Sequence, residues 1–504
     1  MKRRKLLFLL LLSSFLVKGQ GRNSIWCFGD SAGIDFRNTL SPSAFVSGLN
    51  SKGTCATISD SLGNLLFYCA SPDIVGFRNG VTQLGIVYNR NHEKMVNGDS
   101  LTCNAWYHEM VITPHPVNSN QYYIFHIDDI NLSSLYYSIV DISQDSGNGA
   151  IISKNNQLNN FKAGDYLQAV KHGNGKDWWV IFKSAPPANN LFYIYAITDN
   201  GVLLDHIDSV GDLNTSDGGD LRFNFDGSKF AFCSWSGLLA IYNFDRCTGS
   251  ITLGQTIHAE FPAGTQPYFI DCCFSPNDSL LYVSCAPYFS SLDTTQIYLY
   301  QFPLTAANVY ASRTLIWQQT YPMTIGAVRL APDNKIYVAA QKTGYPYDST
   351  DFYPENMSLS VINQPDQRGG AAACDFQPYS FYLGGKRTYW GLPNNPDYDL
   401  PPLAGSSCDT IHTAILETAA PAPALSVYYH AAWESIVVNA SRLEGERARI
   451  YVTDLSGKVL LQETGRVVAG YLSRNIALHD RAAGIYFVTV VTEREQLTGK
   501  VFRY

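Results

Sequence analysis

Residues 221–235 read LRFNFDGSKFAFCSW: an alternating apolar run, an Asp226-Gly227 turn, and a second run rich in aromatic residues. A period of two sets one face of a strand against a core, and Asp-Gly accepts the positive φ of a tight hairpin turn. The same unit recurs at residues 55–69, 110–127, 167–183, 271–285 and 327–341, with a weaker seventh at 382–392. The turns centre near residues 63, 119, 175, 227, 278, 334 and 385, which places them 56, 56, 52, 51, 56 and 51 residues apart. Another strand-like run follows most hairpins, at 135–142, 191–197, 238–244, 296–302 and 359–363. Three or four strands in about 50 residues is the pattern of a β-propeller blade, which cannot bury both faces alone and so stacks on its neighbours. The period is too short for a string of sandwiches of about 100 residues. The chain is therefore expected to be all-β, a seven-bladed β-propeller followed by a small C-terminal β-sandwich. Residues 25–36 (IWCFGDSAGIDF) are expected to complete the last blade beside 386–392 and close the ring, leaving no long open edge.

Composition agrees with this reading. The 504 residues include 32 Tyr, 26 Phe and 8 Trp, with 39 Gly and 23 Pro, a balance that suits strands and turns. The net charge of −7 is unevenly spread: five cations and no acid lie in residues 1–18, 21 cations and 35 acids in 20–424, and 10 cations and 8 acids in 425–504. A surface this acidic excludes nucleic acid as a general partner. The first 20 residues, MKRRKLLFLLLLSSFLVKGQ, place four cations before a twelve-residue hydrophobic stretch, with the small Gly19 before Gln20. That is the layout of a secretory signal peptide, residues 1–19, with cleavage expected at Gly19 and Gln20. No later segment is apolar for 18 residues, so no membrane-spanning helix is expected after it. All 11 cysteines lie between Cys27 and Cys408; export favours disulfides, and an odd number leaves at least one thiol over.

Several stretches of residues 22–410 resemble secreted surface propellers of Bacteroidota. They are the opening Trp26-Cys27-Phe28-Gly29-Asp30-Ser31-Ala32-Gly33-Ile34-Asp35-Phe36, the hairpin through Gly63-Asn64-Leu65-Leu66-Phe67-Tyr68, Tyr88-Asn89-Arg90-Asn91-His92, Ala169-Val170-Lys171-His172, and Gly391-Leu392-Pro393-Asn394. Cys27 departs from the aromatic residue usual there. The resemblance implies a secreted propeller and brings no enzymatic activity with it.

Residues 403–424 carry Gly405-Ser406-Ser407 and an Ala-Pro run, the composition of a linker. Strand-like runs at 448–452, 459–462 and 485–491 then read as an antiparallel sandwich over 425–504. This tail resembles the type A sorting domain of the type IX secretion system. Asp454, Leu455 and Gly457 match its central hairpin, Gly484 and Tyr486 its Gly-x-Tyr strand, and Lys500 its terminal basic residue. The resemblance implies passage across the outer membrane with the secretion machinery as partner, then cleavage of the tail and surface attachment or release. Asp409-Thr410-Ile411 resembles a Bacteroidota O-glycosylation acceptor.

No zincin, serine-hydrolase, phosphate-loop or dinucleotide motif is present, so no catalytic residue, cofactor or metal is assigned. His92, His108, His115 and His126 fall close together, but no pair has metal-ligand spacing on a helix. Asp217-Gly218-Gly219-Asp220 and Asp226-Gly227 read as turns, since the alternating-oxygen loop of a calcium site is missing. Adjacent aromatic pairs on strands point to opposite faces, and one member can meet a ligand. Trp106, Trp178 and Trp390 are the candidate platforms for a glycan or protein partner. The expected function is non-catalytic binding at the cell surface. The alternative is an extracellular polysaccharide hydrolase or lyase whose carboxylates, contributed by several blades, converge in the funnel.

Overall fold

The computed structural model describes residues 21–71, 84–103, 108–128, 134–185, 187–259, 267–286, 296–342, 352–409, 423–430, 434–441, 443–467, 470, 472–478 and 481–503. It divides into two compact units, Met1–Thr410 and Ile411–Tyr504. Both are built of strands, and no α-helix occurs among the described residues.

The first unit is a succession of small antiparallel sheets, the arrangement of a β-propeller. Their first strands are Ile25–Phe28, Cys55–Ser59, Met110–Pro114, Gln168–Lys171, Gly219–Phe223, Tyr268–Phe274 and Met323–Leu330. Two of these sheets have three strands and five have four. The six strong hairpins of the sequence pattern all form; for example, Gly219 to Phe223 pair in register with Ser234 to Phe230. The residues at five of their turns, Gly63, Gly175, Gly227, Asp278 and Asn334, have positive φ, as the Gly, Asp and Asn there allow. First and second strands are buried on both faces, whereas an outer strand such as Ile251–His258 is exposed or half-buried except at Ile251 and Ile257. Neighbouring aromatics separate as strand geometry requires: Trp178 enters the core shared with the preceding sheets, and Trp179 enters the next.

Two expectations are corrected. Residues 382–392 form no hairpin, because the strand Phe376–Tyr382 ends at a turn where Gly384 and Gly385 have φ of +64° and +83°. Residues 25–36 lie beside 386–392 as expected, through the antiparallel Asp30–Arg387 bridge, but do not add a strand to that sheet. Gly29, at φ +60°, reverses the chain, so Ile25–Phe28 and Asp30–Asp35 pair with each other, and Ser43–Asn50 completes a separate sheet. That sheet packs on the last one through Trp26, Phe36 and Tyr337, whose rings meet edge-on at 5.0 to 5.9 Å.

In the second unit, a three-stranded and a four-stranded sheet bury a shared core that includes Ile436, Val438, Ile450, Val452, Val488 and Val490. Residues 403–409, expected to begin a linker, are instead tied to the first unit. Leu403 N donates to Gly173 O at 2.7 Å, and Cys408 is disulfide-bonded to Cys247.

Candidate functional site

Past the last strand of the first unit, residues 387–398 run along the axis that the first strands surround. Pro393 and Pro396 lack the N–H that a sheet ladder needs, so the segment stays outside any sheet. Arg387 clasps Asp30 (Nη2 to Oδ2, 2.6 Å), Ala327 N donates to Trp390 O at 2.7 Å, and Asn394 N donates to Cys55 O at 2.8 Å. The fully buried Asn394 amide donates to Met110 O (3.1 Å) and Leu167 O (2.9 Å), and accepts from Gln168 Nε2 and Arg222 Nη2, both at 3.0 Å. Gly391 passes so close to the second sheet that a Cβ would lie 1.9 Å from Gly53 O. Asn394 therefore lies among the first strands of the second to fifth sheets, in the region where converging carboxylates were the alternative expectation.

Beside this segment lies a buried charge cluster. His108, Asp220 and Asp271, each on or next to a first strand, bring their nitrogen and oxygen atoms within 4.8 Å of one another. Arg329 occupies the space between them: it pairs with Asp271, lies 3.6 Å from Asp220 Oδ2, and sets Nη2 2.6 Å from His108 Nε2. Arg222 pairs with the other Asp220 oxygen at 3.1 Å. A guanidinium thus stands where these three side chains would hold a metal ion. Burial alone would raise the Asp220 carboxyl, but Arg222, His108 and Arg329 outweigh it and hold the pKa well below the usual range. His108 Nε2 lies 2.6 Å from Arg329 Nη2 and 3.1 Å from Asp271 Oδ2, and Nδ1 lies 2.8 Å from Gly219 O; Asp220 and Asp271 raise the ring's pKa against burial. Asp220, read from sequence as part of a turn, is a core residue. Its neighbour Gly219 must be glycine, because a Cβ there would meet Cys233 O at 2.1 Å.

Where the axial segment leaves the ring, a cleft of about 710 Å³ opens between the fifth sheet and residues 397–403. Phe225, Phe244, Leu400, Pro401 and Leu403 form its apolar wall, and Asp226, Asp245, Asp397 and Asp399 bring carboxylates to it. Two smaller cavities of about 80 and 50 Å³ adjoin it as a throat and reach Arg222; all three share Asp397. Arg246 is the only Lys or Arg lining the cleft, and its guanidinium is bound to backbone carbonyls: Lys171 O at 2.8 Å, Asp226 O at 3.2 Å and Pro401 O at 2.8 Å. Hydrogen bonds from Ser228 and Asn224 overcome burial and lower the Asp226 pKa, with help from Arg246. At Asp397 burial prevails, reinforced by the Asp399 charge, and its pKa is pushed up to about 6. The Cys247–Cys408 disulfide, with Cα atoms 5.4 Å apart, pins the chain just past the cleft to the fifth sheet.

The residues singled out from sequence do not meet in one place. Trp178 is 1% exposed within the core and is no platform, a correction that follows from coverage of both faces of its strand. Trp390 is partly exposed, with Lys52 Nζ 4.5 Å above the ring and its Nε1 donating to Thr324 Oγ1. Trp106, Gly19 and Gln20 lie outside the described residues. Asp454, Leu455 and Gly457 form the turn between Arg447–Thr453 and Val459–Arg466, where Asp454 Oδ1 accepts from Ser456 N and Lys458 N. Gly484 starts the strand that carries buried Tyr486, and Lys500 is exposed on the strand paired with it. His126 is buried between Thr102 O and Ser138, whereas His92 and His115 engage their own neighbourhoods, Tyr68 and the turn at Asn118. Nine cysteines are free and buried. Sequence reasoning missed Phe225, Asp397 and Arg246 as cleft residues and Asn394 as the axial tie.

No protein-family model matches the chain, and no curated protein matches it. Solved structures similar to it include a periplasmic gluconolactonase of Pseudomonas aeruginosa, PpgL, at 11% identity and a TM-score of 0.33, covering 78% of this chain and 95% of that one. Another is the β-propeller domain of Cps50 (Swd1) from Myceliophteria thermophila, at 10% identity and a TM-score of 0.36, covering 64% of this chain and 94% of that one. The propeller arrangement rests on the strand order and packing of this chain, and neither likeness speaks to a ligand or a reaction.

Proposed function

We propose that the chain is an exported seven-bladed propeller that binds a glycan or protein partner without catalysis, carried to the cell exterior by its C-terminal unit acting as a type IX sorting domain. The observation that carries the binding reading is the cleft. The Asp220–Asp271 pair is buried and neutralised by arginines, whereas the apolar-walled, carboxylate-lined cleft of about 710 Å³ is open to a ligand. Export rests on the signal-like residues 1–19, and sorting on the Asp454 turn and the Gly484–Tyr486 strand within a compact unit of its own. After export the cargo is attached to the surface or released.

The cleft also supports the second reading, an extracellular polysaccharide hydrolase or lyase. Asp226 and Asp397 line the same space with pKa values pushed in opposite directions, as an acid and a base would need. Purified protein from Gly21 onward, screened on a glycan array and a peptide array with polysaccharide turnover assayed alongside, separates the two. Binding lost in Phe225→Asp without turnover is expected; turnover lost in Asp397→Asn would establish the enzyme instead. For sorting, deletion of residues 425–504 is expected to retain the protein in the periplasm, and unchanged surface display would refute it.

A further inference from the structure

The cleft has walls suited to an aliphatic stem and a floor suited to a positive charge. Phe225 is 44% exposed at its mouth, and Phe244, Leu400, Pro401 and Leu403 continue the apolar surface inward. Four carboxylates face this space, while the one cation lining it, Arg246, has its guanidinium committed to three backbone carbonyls. Asp226 and Asp245 are partly used as turn caps, accepting from Ser228 N and Cys247 N, and Asp399 lies 4.0 Å from Arg22. Asp397 differs. It sits where the cleft narrows into the throat, its Oδ1 accepts from Asp399 N at 3.0 Å, and it makes no ion pair among the described residues. The charged groups around it are Lys171, Arg246 and Asp399, with Arg222 and Arg329 lining the throat beyond. At about 80 and 50 Å³, the throat cavities hold the equivalent of two to three waters and one to two waters; each has room for a side-chain head group and neither for a sugar ring.

Resting on the binding reading above, we infer that the cleft receives an arginine or lysine side chain of a polypeptide partner, with the alkyl stem along Phe225 and Leu400 and the cationic head against Asp397. A long basic side chain buries its methylenes and keeps its charge at a polar site, so the two halves of the cleft match the two halves of one residue. The excess of acids over bases in residues 20–424 steers such a partner towards the propeller. Because burial and Asp399 push the Asp397 carboxyl up to about 6, ionisation on the alkaline side of that value is what prepares the site.

The test uses the full chain from Gly21 onward and fluorescein-labelled capped hexapeptides, Gly-Leu-Xaa-Leu-Pro-Gly, with Xaa as Arg, Lys, citrulline or Glu, read by anisotropy at pH 5 and 7.5. Arg and Lys peptides are expected to bind at least tenfold more tightly than the citrulline peptide at pH 7.5, with that preference falling several-fold at pH 5. Asp397→Asn and Asp397→Ser, each checked by near-ultraviolet circular dichroism for an intact fold, should abolish the preference. Equal binding of citrulline, or a preference that survives both variants, overturns the inference. So does tighter binding of a glucosamine oligomer than of any peptide, which would make the partner an aminoglycan. If neutral ligands bind and Phe225→Asp removes them, the inference falls while the binding reading stands; if nothing binds at the cleft, both fall.

Discussion

Replacing Asn394 tests whether the axial segment holds the propeller together. Its side chain makes four hydrogen bonds to three different sheets, all out of water. Asn394→Leu fills a similar volume but strands the carbonyls of Met110 and Leu167 and one donor each of Gln168 and Arg222. A buried polar group left without a partner costs about 1–3 kcal/mol, and Arg222 keeps its contact with Asp220. With Arg222 discounted, the three full losses together come to about 3–9 kcal/mol, comparable with the entire stability of many domains. Asn394→Ala makes the same deletions but opens space that a water can enter, so its cost falls to about 2–4 kcal/mol. Urea unfolding followed by tryptophan fluorescence measures both. The first-unit transition should shift to lower urea in the order wild type, Ala, Leu, at constant slope, while the transition of the 411–504 unit stays in place. A loss below about 1 kcal/mol for the Leu variant would show that the segment merely rests in the ring and refute the reasoning.

Three further outcomes are expected. The Cys247–Cys408 bridge joins residues 161 apart, for which chain entropy alone gives about 5 kcal/mol and typical bridges deliver about 2–4; Cys247→Ser with Cys408→Ser should lower the urea midpoint accordingly, and an unchanged midpoint would count against it. Burial drives the His126 pKa down to about 4, so the folded state keeps the ring neutral while the unfolded chain takes up a proton near 6.5. Stability from this group is complete above pH 6.5 and lost as pH falls towards 4, about 3 kcal/mol in all; His126→Gln should flatten that acid slope, and an identical slope would exclude His126 as its source. Lys183 is buried with Nζ 3.8 Å from the centre of the Phe192 ring, and desolvation lowers its pKa to about 7. Its penalty is full below pH 7 and fades as pH rises towards 10.5, so Lys183→Met should stabilise by about 1–3 kcal/mol at pH 6 and by less at pH 10; a destabilised variant at pH 6 would mean that the aromatic contact outweighs desolvation.

The fold was largely legible because local chemistry encodes it. Hairpins such as 221–235 and 271–285 announce themselves by alternation and by a turn residue that tolerates positive φ. Residues 382–392 misled for the same reason, having aromatic residues around a Gly-Gly turn; the decisive signal lay downstream, in prolines 393 and 396 that cannot join a ladder. The charge cluster was hidden because His108, Asp220, Asp271 and Arg329 come from four separate sheets and meet only when those sheets stack. A lone charge inside an apolar first strand, as in Tyr-Phe-Ile-Asp-Cys-Cys-Phe, was the available clue. The cleft gave no such clue, since Asp397 and Phe225 are far apart in the chain and look like turn residues where they stand.

The disulfide has a mechanical consequence. Cys408 lies two residues before the end of the first unit at Thr410, and its bridge leads to Cys247 in the fifth sheet. Tension applied through the chain beyond Thr410 divides at Cys408 between the disulfide to Cys247 and the backbone leading back through residues 387–407. The bridge therefore gives the load a second, covalent route into the fifth sheet, so a protein held or hauled by its C-terminus does not rest on the non-covalent ties of Asn394 alone.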